Sequence, residues 1–200
     1  MAGSTWSADE AVVVDAAGAV RGRGLPLRLL VAPHEPTPDA VRALRSRLRT
    51  AGWRSTTLGE VEGGGAVGEA DAVVVDRVGV LAHLYTVGAL AHVGGGFGRA
   101  GLHSVLEPAA AGVPVLFGPH HRSARAAGEL VGAGAGFVVR DAGDAARRVE
   151  TLLADAGRRA AAGAAARRYI DVHRGAARRT AERVALYLQS PTAEFGSRPR

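Results

Sequence analysis

The stretch GGGFGRAGLHSVLEP, Gly94 to Pro108, gathers residues that could do chemistry. It holds Gly96-x-Gly98-x-x-Gly101, then His103, Ser104 and Glu107. A glycine-rich turn feeding a helix exposes backbone N–H groups and the positive end of the helix dipole, which suits phosphate. Glycine also permits close approach and positive φ. If GLHSVLEPAAAG is helical throughout, Glu107 lies on the face of His103, four residues earlier. A carboxylate there could accept two hydrogen bonds from a sugar diol, or it could satisfy first-turn N–H groups; the residues leave both readings open. A nicotinamide or flavin site further needs an acid about 20 residues on, at the end of the next strand. That strand, VPVLFG, ends in Gly118-Pro119, and the motif falls mid-chain instead of at the first strand–helix turn. Other chemistries lack their residues. There is no cysteine, no H-E-x-x-H among the seven histidines, no G-x-S-x-G elbow, and no lysine for a G-x-x-x-x-G-K-[ST] loop. No metal site and no cofactor are expected.

The elements that must position these residues alternate. LRLLVAP (27–33), ADAVVVD (70–76), ALAHVGG (89–95), VPVLFGP (113–119) and GFVV (136–139) read as strands, several with no polar alternation, hence buried on both faces. GSTWSADEAVVVDAAG reads as a helix start, with Ser7 as cap and Asp9 and Glu10 in the first turn. Thr37-Pro38 opens a helix through Arg49, with Val41, Leu44 and Leu48 at helical spacing. GVLAHLYTVG, Ser123 to Val131, and Asp141 to about Gln189 read as helical, and the tail SPTAEFGSRPR as disordered. The fold class is α/β: a Rossmann-like doubly wound parallel sheet with C-terminal helices. Such sheets bind ligands at the carboxyl ends of strands, which selects the loops after Val31, Val75, Val93 and Phe117.

Composition narrows the partners. With 200 residues and 47% hydrophobic content the chain can bury a real core. The net charge of +6 is carried by arginine alone and fits solubility or an anionic partner. Only 4% of residues are aromatic, too few stacking platforms for single-stranded nucleic acid, so no nucleic acid partner is expected. No run approaches the roughly 20 apolar residues of a membrane span, and no signal peptide is expected before AGSTWSADE.

The block HVGGGFGRAGLHSVLEPAAAGVPVLFGPHH resembles the C-terminal half of the 3-deoxy-D-manno-octulosonate (Kdo) transferases. GSTW (3–6), APHEP (32–36) and VDRVGVLAHLY (75–85) match in order and spacing, so the resemblance covers about Gly3 to Leu186. It implies one half of a GT-B fold and a glycosyltransferase that moves Kdo from CMP-Kdo to a lipid A precursor at the cytoplasmic face of the inner membrane, without a cofactor. Residues 1–188 would form the donor-binding domain and 189–200 a tail. The acceptor domain, with its membrane anchor and general-base Glu, would be absent from this chain, so no catalytic residue is expected here. The implied CMP contacts are Pro33 and His34; Val78, Gly79 and Val80; Gly95 and Gly96; and Ser104, Val105, Leu106 and Glu107, with Glu107 on the ribose and the glycine loop at the phosphate.

The chain departs from the family pattern at three places. His34 stands where many members have Arg, Ser104 where many have Asn, and Gly79-Val80-Leu81 where many have Gly-Glu-Leu. Arg77 or Arg122 could supply the charge that His34 lacks. His120-His121-Arg122, at another strand end, could meet a phosphate or the Kdo carboxylate, or be a solvated loop. His92 reads as a satisfied core or interface histidine, and His83 and Tyr85 as packing. The arginine pairs 147–148, 158–159, 167–168 and 178–179 read as solvated helix faces, or as attraction to an anionic inner-membrane surface. Two alternatives to Kdo transfer remain: a GT-B transferase using another nucleotide sugar, or a non-catalytic nucleotide-sugar binding module.

Overall fold

The computed structural model describes residues 1–65, 68 and 70–189. The tail expected to be disordered lies outside the described residues from Ser190 onward. The chain divides into two compact units, 1–170 and 171–200, taken separately below.

The first unit holds a wholly parallel sheet of seven strands among the described residues. In chain order these are β1 (Ala2–Thr5), β2 (Leu29–Pro33), β3 (Ser55–Thr57), β4 (Ala72–Val74), β5 (Ala91–Val93), β6 (Val115–Phe117) and β7 (Gly136–Val138). Their spatial order is β3-β4-β2-β1-β5-β6-β7. Every connection is therefore a crossover, mostly through helices: α1 (Ser7–Gly22), α2 (Pro38–Thr50), α3 (Leu58–Glu62), α4 (Leu81–Tyr85), α5 (Leu106–Ala111) and α6 (Arg125–Gly132). α7 (Ala142–Ala154) and α8 (Ala156–His173) follow. The doubly wound class expected from the sequence is what the chain adopts.

Burial on both faces explains the unbroken apolar runs. Val115 and Phe117 point into the cluster holding Ala109 of α5, Leu130 of α6 and Ala166 of α8. Leu116 between them faces the cluster holding Val20 of α1 and Leu152 of α7. Leu44 and Leu48 of α2 are fully buried against β2 and β4, as their spacing predicts. Thr37 caps α2 by accepting a hydrogen bond from Ala40 N, and Pro38 follows at the first helical position.

Two strands escape the sequence reading, β1 and β3. GST reads in the sequence as the approach to a helix, yet Ala2 to Thr5 is the central strand, between β2 and β5. Its residues are small because the neighbours are close: a Cβ on Gly3 would lie 2.1 Å from the Tyr85 hydroxyl. The helix then starts one residue earlier than expected. Trp6, not Ser7, is the cap position, and its backbone N–H donates to Asp9 Oδ2 at 2.9 Å. STT of β3 is short and polar, with its outer side open, and carries no apolar run to announce it.

In the second unit, residues 171–189 include α9 (Ala176–Gln189), whose Arg178 pairs with Glu182 one turn on. Val184, Tyr187 and Leu188 of α9 are exposed.

Candidate functional site

The chain reverses its direction of winding between β1 and β5, so a crevice opens at the carboxyl ends of these two strands. Ser4, the last residue but one of β1, has φ at 53°, in the left-handed region, and is the only such non-glycine residue among those described. The β1–β2 register shifts at this point. The bulging Ser4 carbonyl leaves only 2.1 Å for a Cβ at Gly94, so the first glycine of the loop is required by β1, not by a ligand.

The remaining glycines are fixed in the same way. Gly95 has φ at 90°, and a Cβ there would lie 1.9 Å from the Gly101 carbonyl oxygen. Gly96 and Gly118 face each other so closely that a Cβ on Gly118 would lie 2.4 Å from the Gly96 carbonyl. Asp9, fully buried, grips this loop from α1. Its carboxylate accepts hydrogen bonds from Gly95 N at 2.9 Å and Phe97 N at 3.3 Å as well as from Trp6 N. The amides of Gly95 and Phe97 are thus engaged by a carboxylate.

Beyond the loop, α5 begins at Leu106 and not at Gly101 as expected. His103 and Glu107 therefore do not share a helix face. The loop nevertheless brings them together, and both line one cavity of about 290 Å³ with Ser4, Gly79, Leu81 and Ser104. Ser104 Oγ accepts from Leu106 N at 3.3 Å, so the serine, not Glu107, serves the first turn. Glu107 is exposed and makes no hydrogen bond or ion pair with a described residue. The nearby Tyr85 hydroxyl has its pKa raised, by burial first and by the Glu107 charge second.

His34, after β2, stacks on His103 with ring centroids 4.1 Å apart and 22° between planes. Trp6 lies against His34 at 4.8 Å, and its Nε1–H donates to His103 Nε2 at 3.0 Å. The His103 pKa is lowered, by burial first and by the His34 charge second, against an opposing pull from Asp9.

The structure gathers part of the expected residue set. Gly79, Ser104 and Glu107 line the cavity, and His34 packs against its wall through His103. Pro33, buried at the end of β2, faces a neighbouring cavity of about 260 Å³ with Trp6, Glu10 and Arg47. Val80 stands at the start of α4, Val78 is exposed, and Leu106 is partly so. Val105 points into the core, and Gly95 and Gly96 lie buried beneath the loop. The sequence reading missed Ser4, Trp6 and Asp9 as site residues, because β1, which carries Ser4 and leads into Trp6 and Asp9, was not recognised.

Other expectations change. Arg77 is paired with both carboxylate oxygens of Glu62, so it is not poised beside His34. Arg122 is exposed and has no ion-pair partner among the described residues. His120 and His121 hold the carbonyls of Gly98 and Pro119 through Nδ1. His83 is exposed rather than packed, whereas Tyr85 is buried as expected. His92 is buried, yet it is not satisfied. Its Nε2 is the single buried side-chain nitrogen or oxygen without a partner among the described residues, and burial lowers its pKa to about 4.

The arginine pairs are largely spent locally: Arg147 on Asp144, Arg158 on Asp155, Arg178 on Glu182, Arg159 on the carbonyls of Leu152 and Leu153, and Arg148 over the Phe137 ring. No helix among the described residues is long and apolar enough to cross a membrane. No three His, Asp or Glu side chains among them are grouped to hold a metal ion.

No family model matches the chain. Solved structures define its class. The C-terminal CMP-Kdo binding domain of WaaA from Acinetobacter baumannii superposes with a TM-score of 0.74, at 19% identity, over 84% of this chain and 86% of that one. WaaG, a glycosyltransferase involved in lipopolysaccharide biosynthesis, matches with a TM-score of 0.57 over 95% of this chain but 46% of its own. The fold is that of one half of a GT-B glycosyltransferase. Among curated sequences, the 3-deoxy-D-manno-octulosonic acid transferase of Bordetella pertussis is 33% identical over 92% of this chain and 44% of its own length. That of Aquifex aeolicus is 29% identical over 76% of this chain and 41% of its own. The chain is a homologue of the Kdo transferases and spans less than half the length of these relatives.

Proposed function

We propose that residues 1–188 form the donor-binding half of a glycosyltransferase that moves Kdo from CMP-Kdo to a lipid A precursor. The observation that carries this reading is the unengaged Glu107 carboxylate beside Ser104 and His103 in a cavity at the switch point. Glu107 accepts the two ribose hydroxyls. Pro33, His34 and the segment Val78 to Val80 border the cytidine, and Ser104 to Leu106 close the cavity on the α5 side. Gly95 and Gly96 shape the floor through their backbone, since the Gly95 amide is held by Asp9. Arg122 is the cation best placed in sequence to meet an anionic group at the strand ends. CMP is a good leaving group because its phosphate charge is met by fixed donors in a site already organised to receive it.

The acceptor site and the general base lie on a second domain, with transfer in the cleft between the two. Arg167 and Arg168 of α8, exposed and without an ion-pair partner among the described residues, favour the anionic cytoplasmic face of the inner membrane, where the lipid acceptor resides. The homology supports this reading over a UDP- or GDP-sugar, and over a stand-alone binding module.

Isothermal titration of the chain with CMP tests the site. Weak CMP binding, lost in Glu107→Ala and not competed by UDP, is the expected result. A folded chain that takes up no CMP refutes the reading. UDP binding more tightly than CMP transfers the site to another donor.

A further inference from the structure

The contact between Trp6 and His103 decides which proton the histidine carries. The indole nitrogen of tryptophan can only donate a hydrogen bond. Trp6 Nε1 lies 3.0 Å from His103 Nε2, so Nε2 must present its lone pair. A neutral imidazole that accepts at Nε2 carries its hydrogen on Nδ1. An imidazolium would set two N–H groups against each other. Burial of the ring and the stacked His34 oppose the same protonation. Nδ1 makes no hydrogen bond with a described residue, and it is not among their buried, unpartnered atoms. It therefore reaches solvent from a residue that lines the cavity with Ser104 and Glu107.

We infer that Trp6 is a positioning residue that locks His103 as the neutral Nδ1–H tautomer, and that His103 then donates this hydrogen to a phosphate oxygen of the bound nucleotide. The donor role rests on the nucleotide-sugar reading above; the tautomer does not. The division of labour is chemical. Glu107 supplies only acceptors, suited to hydroxyls, and His103 supplies a donor, suited to an oxyanion. A neutral donor also spares the site a mobile cation, whose charge would vary with pH. The titratable groups around His103 are His34 on the β2 loop, Asp9 on α1 and Glu107 on α5. Asp9 reinforces the lock, since one carboxylate oxygen holds both the Trp6 backbone and the Gly95 amide.

Two-bond proton–nitrogen correlation spectra of the ¹⁵N-labelled full chain separate the two neutral tautomers, with His103→Gln assigning the signal. The expected signature is Nδ1–H in the unliganded chain. Trp6→Phe keeps an aromatic ring and removes the donor. It should yield a mixture of tautomers, raise the His103 titration midpoint, and weaken CMP about two- to fivefold at a pH above that midpoint, the cost of selecting the Nδ1–H form from the mixture. Cytidine, which lacks the phosphate, should bind Trp6→Phe as it binds the unmodified chain. Trp6→Gln places an N–H the same number of bonds from Cβ and should restore the tautomer and most of the CMP affinity. An Nε2–H signature in the unmodified chain overturns the inference without any variant. So does an equal loss of CMP and cytidine in Trp6→Phe, which would make Trp6 a packing residue only. If the unmodified chain binds no CMP, the proposed function fails and the phosphate role falls with it, while the spectra still decide the tautomer.

Discussion

Removing the Asp9 carboxylate should cost more than any exposed substitution in this protein. Asp9 is fully buried and accepts three backbone N–H groups, from Trp6, Gly95 and Phe97. Asp9→Ala leaves all three without an acceptor, and Gly95 sits where water does not reach. A buried donor left unsatisfied costs about 1–3 kcal/mol. Three such groups, two of them only partly buried, give about 3–5 kcal/mol, a large share of the 5–15 kcal/mol that typically holds a domain together. Asp9→Asn is the sharper probe. Oδ2 serves Trp6 and Gly95 while Oδ1 serves Phe97. The asparagine oxygen can replace Oδ2, but its amide then faces the Phe97 N–H, donor against donor. One bond is lost and one repulsion gained, worth about 1–3 kcal/mol. Urea unfolding at pH 7.5, read as a midpoint shift at constant slope, measures both. A loss below about 1 kcal/mol in Asp9→Ala would show that the loop does not depend on this carboxylate, and the argument that its glycines serve packing and not phosphate would fall.

Gly95→Ala must place a Cβ 1.9 Å from the Gly101 carbonyl at a φ of 90°, so a destabilisation of about 2–5 kcal/mol is expected in the same unfolding assay. Glu107→Ala should leave stability within about 0.5 kcal/mol, because the side chain is exposed, and should lower CMP affinity at least about tenfold by calorimetry. His92 makes stability fall with acid. Its folded pKa of about 4 lies below the ordinary 6.5, so its contribution is present above pH 6.5 and is lost as pH drops from 6.5 to 4, by up to roughly 3 kcal/mol. His92→Phe removes the unpartnered nitrogen and should flatten the stability profile across that window; an unchanged profile would place the acid sensitivity elsewhere.

Four of the five strands legible in the sequence share one physical property, the exception being the edge strand β7. β2, β4, β5 and β6 are buried on both faces, so their apolar runs are forced by the sheet and announce themselves. β1 is just as buried but reads Ala-Gly-Ser-Thr. It lies at the centre, where Tyr85 presses on Gly3 and Gly94 presses on Ser4, and only small residues fit. Centrality here removed the hydrophobic signal that usually marks a strand. The site was legible by halves for the same reason. Gly79 and Ser104, on loops, and Glu107, in the first turn of α5, follow the apolar strands β4 and β5. Ser4 lies in the strand that was not recognised, and Trp6 and Asp9 follow it. The positions of His103 and Glu107 illustrate a further limit: spacing suggested one helical face, and the late start of α5 removed that face while the fold of the loop still joined the two residues.

The glycine motif shows where sequence spacing and ligand chemistry part. Its pattern matches a phosphate cradle, and a cradle requires amides pointing at the ligand. Here Asp9 occupies two of those amides, and a carboxylate so placed would repel a phosphate brought to the same spot. On the reading proposed above, the phosphate donors would be side chains or other loops, with the His103 Nδ1–H and Arg122 as the proposed ones. The same glycines remain indispensable, because they let the loops after β5 and β6 meet backbone to backbone and so set His103 beside Glu107. A substitution among them would therefore abolish binding by displacing those two side chains, and loss of binding in a glycine variant alone could not identify the loop as the phosphate site.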